Sequence, residues 1–181
     1  AVSVAMFGLT LGAIYVQVRP KQDLSALAFL AGLLMAVSIS VQLVLPLRFE
    51  NRSVPAGYLT TTYALSALPF VPAGAFLCLA LTRCRAVGAA YAADLFGAGL
   101  GCALMPLAAS WLGGPGAVLA AAAASCLAAF IVGKSSRPRL AAAAALTCIA
   151  LSGFAVANRN GQWLRVRYSH RGLMPPALHE A

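Results

Sequence analysis

Leu24-Ser25-Ala26-Leu27-Ala28-Phe29-Leu30-Ala31-Gly32-Leu33-Leu34-Met35-Ala36-Val37-Ser38-Ile39-Ser40-Val41-Gln42-Leu43-Val44-Leu45-Pro46-Leu47 runs without a charged residue. A bilayer core about 30 Å thick needs roughly 20 apolar residues in a helix. This stretch is long enough to cross one. It is bounded by Arg19-Pro20-Lys21-Gln22-Asp23 on one side and by Arg48 to Val54 on the other. Five more runs meet or approach the same length: Ala1–Val18, Pro55–Leu81, Ala89–Leu112, Pro115–Val132 and Leu140–Ala157. The gaps at Thr82 to Gly88, Gly113-Gly114 and Gly133 to Arg139 read as turns. The expected fold is all-α, a polytopic transmembrane helix bundle of about six helices.

Composition agrees. Of 181 residues, 61% are hydrophobic and 9% charged, with mean hydropathy +0.86. A soluble domain usually carries about 25% charged residues, and disordered chains are poor in apolar residues. The 16 Gly and 10 Pro follow no three-residue period, which excludes collagen. Residues 1–157 read as the transmembrane helical domain. From Asn158 to Ala181 the chain turns polar and basic, as a tail or a linker to a soluble domain beyond this sequence. Ala1 opens straight into an apolar run, without the basic segment of a secretory signal. Both ends read as cuts in a longer chain.

A net charge of +9 would suggest nucleic acid in a soluble protein. Here the cations sit in short gaps between apolar runs, as in proteins that fix their topology by charge and meet anionic headgroups. The expected partner is the lipid bilayer, not nucleic acid, and the expected location is a bacterial inner membrane, crossed several times. The gaps after the first, third and fifth runs hold seven Lys and Arg. The opposite side holds two when the tail is left out, which puts the odd-numbered gaps in the cytoplasm and the tail outside.

Small residues recur every four positions: Gly8 and Gly12; then Ala28, Gly32, Ala36 and Ser40; then Ala89, Ala93, Gly97 and Gly101. In lipid such ridges let backbones approach closely, within a bundle or between copies in a homo-oligomer. Pro69 and Pro72 remove two backbone donors from the third run and predict a kink. Asp94 is the one acid inside an apolar run, with Arg83 or Arg85 as candidate ion-pair partner. It is also near a helix start, where the dipole favours a carboxylate, so a structural anchor is the leading reading. Tyr91 lies on the same face and suits the headgroup level.

Two phosphate-binding patterns fail in context. Gly97-Ala98-Gly99-Leu100-Gly101 lies inside an apolar helix, and no acid occurs between Asp94 and Glu180. Gly133-Lys134-Ser135 lacks the first P-loop glycine, whose place Ala128 takes. His170 and His179 have no partner at metal-ligand spacing, so neither a metal nor another cofactor is expected in this chain. The five cysteines are scattered and imply no disulfide framework. Cys84, between two arginines, is the candidate reactive thiol, with an ordinary interfacial cysteine the leading reading.

The segment Tyr91-Ala92-Ala93-Asp94-Leu95-Phe96-Gly97-Ala98-Gly99-Leu100-Gly101, with Pro69-Phe70 before it and Leu112-Gly113-Gly114-Pro115-Gly116-Ala117 after it, resembles the membrane half of spermidine synthase-like bacterial proteins. The likeness is firmest from Pro69 to Phe130. Gly8-Leu9-Thr10-Leu11-Gly12-Ala13 and the tail Leu164-Arg165-Val166-Arg167-Tyr168 fit it more loosely. The resemblance implies a multi-helix domain, with one further helix ahead of Ala1, followed by a soluble aminopropyltransferase-type domain that binds polyamine. It carries over no catalytic residue, only Tyr91, Asp94, Gly97 and Gly101 as a membrane signature. On this reading the chain is a non-catalytic anchor that also channels substrate to a linked transferase. The kinked third run, with Asp94 facing a cavity, would instead suit a fragment of a small-molecule transporter. A purely structural assembly subunit is a third reading.

Overall fold

The computed structural model describes residues 2–19, 21–44 and 56–158. The gap from Arg48 to Val54 and the tail beyond Asn158, with both histidines, lie outside the described residues. The described residues form six helical elements in order: α1 Val2–Val18, α2 Leu24–Val44, α3 Ala56–Ala67, α4 Phe70–Arg83, α5 Val87–Gly133 and α6 Pro138–Ala157. Among the described residues there is no strand.

Among the described residues, four helices are long and apolar enough to cross a membrane: Leu24–Leu43, Ala56–Arg83, Val87–Gly133 and Pro138–Ala157. The shorter α1 makes five rather than the expected six. The difference arises at Gly113-Gly114, which read as a turn between two helices. Helical residues run up to both sides of Gly113, and Gly114 is itself helical, so no loop separates the fourth and fifth runs. A straight helix of 47 residues would reach about 70 Å, more than twice the bilayer core. Gly113 breaks it instead, at φ 75° and ψ 168°. The bend is sharp. A Cβ on Gly116 would lie 2.8 Å from the Leu112 Cβ, and Met105 and Val118 line one cleft although a straight helix would set them about 20 Å apart.

In lipid, association rests on packing and interhelical hydrogen bonds, since the solvent is itself apolar. Glycine makes the close approaches. A Cβ on Gly8 would stand 2.7 Å from the Phe70 Cβ and 2.8 Å from the Ala67 carbonyl. One on Gly12 would overlap the Val71 carbonyl oxygen and lie 2.6 Å from the Ala75 nitrogen. Gly74 returns the contact from α4, where a Cβ would lie 2.6 Å from Leu9 Cα. Gly32 packs on α5, with Cys126 Sγ 2.8 Å and the Ala122 carbonyl 2.9 Å from such a Cβ. The Ser125 hydroxyl adds a hydrogen bond to the Ala28 carbonyl at 2.9 Å.

These pairings fix the direction of each helix. Gly8 meets Ala67 and Phe70 while Val16 clusters with Leu79, so α1 and α4 run in parallel. Ser25 abuts Gly133 while Gly32 abuts Cys126 and Ala122, so α2 runs against residues 114–133 of α5. α6 also runs against them, from Ala141 near Gly133 to Ala155 near Gly116. The α1–α2 connection, the end of α4 and the α5–α6 connection therefore share one end of the bundle, where Arg137 forms an ion pair with Asp23. Arg19, Lys21, Arg83, Arg85, Lys134, Arg137 and Arg139 gather there, and α6 finishes at the opposite end.

Cationic ends favour the cytoplasm, and Cys84 is exposed at this end. An impermeant maleimide should label Cys84 in inside-out vesicles and spare it in right-side-out vesicles, with a Cys84→Ser control. Labelling from the outside would reverse the orientation.

Candidate functional site

The third run breaks at Leu68-Pro69, between α3 and α4. Pro69 keeps helical torsions, φ −66° and ψ −23°, so the chain continues in its direction with a gap in its hydrogen bonds. Pro69 cannot donate to the Leu65 carbonyl, nor Pro72 to the Leu68 carbonyl. Each carbonyl has a substitute. The Val71 N–H reaches Leu68 O at 3.3 Å, and the Ser38 hydroxyl, from α2, donates to Leu65 O at 2.7 Å.

Ser38 belongs to a small network. Gln42 Nε2 donates to Ser38 Oγ and to Ser66 Oγ, both at 3.1 Å. The Ser66 hydroxyl in turn donates to the Thr62 carbonyl at 2.8 Å. Other hydroxyls, such as Thr10, Ser40, Thr60 and Thr147, donate back to their own helices. That satisfies a polar group in lipid without joining two helices. The Ser38–Gln42–Ser66 network does join two, and it borders a cleft of about 290 Å³ walled by Ile39, Phe70, Met105 and Val118. A second cleft, of about 330 Å³, lies on the Pro72 side between α1, α2 and α4, with Tyr15 and Gln22 among its otherwise apolar lining.

Ser38, Gln42 and Ser66 were not among the residues singled out from sequence. The available signal was two polar residues one turn apart in the run from Leu24, and a serine three residues before Pro69.

The sequence-selected residues fall in three places. Pro69 and Pro72 are buried where α3 gives way to α4. Gly8, Gly12 and Gly32 are buried in helix contacts. The signature is elsewhere, on residues 87–112 of α5, an arm that is mostly exposed. Tyr91 is 55% exposed and Phe96 69%. A Cβ on Gly97 or Gly101 would meet nothing within 4 Å. Asp94 is half-buried in the second turn of α5, and no ion pair joins it to Arg85. Among the described residues, no group of three His, Cys, Asp or Glu could hold a metal ion.

The Ser38 bond makes a specific prediction. Ser38→Ala should cost about 1–2 kcal/mol, because it strands the Leu65 carbonyl. In a Pro69→Ala background the residue-69 N–H can take that carbonyl, so the same change should cost roughly half as much. Equal costs in an SDS-titration double-mutant cycle would separate Ser38 from the proline gap.

Compared with protein-family models, curated proteins and solved structures, the chain matches none.

Proposed function

We infer that this chain is the non-catalytic membrane domain of a spermidine synthase-like protein, anchoring a soluble aminopropyltransferase-type domain in a bacterial inner membrane and passing substrate or product to it. The observation that supports this reading is the contrast between small-residue ridges. Gly8, Gly12 and Gly32 are covered by neighbouring helices, whereas the ridge of Gly97 and Gly101, inside the signature, stands open. A helix with the family-like motif and an uncovered small face suits contact with a further element of a larger assembly. A second copy of the chain could also supply that element.

The second reading is a small-molecule transporter fragment, favoured by the cleft beside Pro69, which the Ser38–Gln42–Ser66 network borders. Two assays on the purified chain separate them. The anchor gives no aminopropyl transfer and no saturable uptake in liposomes. Turnover by the isolated chain would overturn the anchor reading, and saturable uptake abolished by a cleft substitution would favour the transporter.

A further inference from the structure

The Ser38–Gln42–Ser66 network fixes what its cleft can recognise. A serine hydroxyl has one proton. That of Ser38 goes to Leu65 O at 2.7 Å and that of Ser66 to Thr62 O at 2.8 Å. Each Oγ therefore offers only lone pairs to Gln42, whose amide must present its two N–H groups, one to each serine at 3.1 Å. A flipped amide would set a carbonyl oxygen against two acceptors. That leaves Oε1 as the acceptor that Gln42, a lining residue, has to offer.

Among the described residues, no charged side chain lines the cleft. A cation would enter a low-dielectric site without a counter-charge, which is costly. A carboxylate would set its negative charge against an acceptor. We propose that the cleft binds an uncharged molecule with a hydroxyl or N–H donor on an apolar body, its proton accepted by Gln42 Oε1. Ile39, Phe70, Met105 and Val118 hold the body. A volume of about 290 Å³ is at the small end for ligand sites, which suits a short chain or a single ring. The site draws on α2, the α3–α4 break and both sides of the α5 bend, so it forms only when Gly113 turns the chain. Binding here is compatible with either role above.

The test is photolabelling of the purified chain in nanodiscs with a diazirine-bearing octanol, against a diazirine-bearing octane that lacks the hydroxyl. Labelled residues are mapped by mass spectrometry. The alcohol should label the cleft wall on the order of five-fold more than the alkane, the worth of one net hydrogen bond. Unlabelled octanol should compete, and Gln42→Met should erase the preference. Equal labelling by both probes, or a preference that survives Gln42→Met, would overturn the proposal. If Gln42→Met does not fold, Val118→Trp, which fills the cleft, should abolish alcohol labelling there; labelling that persists is equally contrary.

Discussion

Replacing Gly12 with leucine should destabilise the bundle by roughly 3 kcal/mol or more, at the upper end of overpacking changes. The first atom added, Cβ, already collides with the Val71 carbonyl and sits 2.6 Å from the Ala75 nitrogen. Those are backbone atoms, which cannot rotate aside. α1 would have to leave α4, taking Val16 from its cluster with Ala75 and Leu79. Gly97→Leu is the matched control. It adds the same side chain inside the same motif type, but to open space. It should change the stability of the single chain by no more than about 0.5 kcal/mol. SDS titration of both variants reads the difference. Equal losses would mean that the Gly97 face is covered as tightly as the Gly12 face.

The second large effect is expected at Gly113. Its φ of 75° with ψ of 168° lies in a region open essentially only to glycine. Gly113→Val should cost about 2–3 kcal/mol, since a β-branched side chain tolerates positive φ least. Gly114→Ala is the control, because Gly114 has no positive φ and a Cβ there meets nothing within 4 Å. As a helical position it should gain slightly, about 0.5–1 kcal/mol. A Gly113→Val chain as stable as the parent would remove the bend as a fixed feature, and with it the meeting of Met105 and Val118.

Much of this fold is legible in the sequence because lipid imposes a simple requirement: long apolar helices with charge at their ends. The runs from Leu24 and from Leu140 each become a helix long enough to cross, and the helix of the third run is interrupted at Leu68-Pro69. Gly113-Gly114 is harder to read, since two glycines signal a break without saying whether a loop or a single residue makes it. One residue does. Spacing alone also treats the ridges alike. The ridge of Gly8 and Gly12 and that of Gly97 and Gly101 have the same period, yet only the first is covered. Period gives a helix face, and neighbours decide whether the face is used. The Ser38–Leu65 bond is the least legible, because it depends on the register between α2 and α3, which no local pattern encodes.

The intact mass of the native gene product in the membrane fraction tests the central claim most directly. An anchor for a transferase predicts a product well above the 18.5 kDa of this chain, with a strand–loop–helix pattern and a glycine-rich loop continuing past Ala181. A native product of 18.5 kDa would contradict the anchor reading and leave the cleft beside Pro69 as the lead to function.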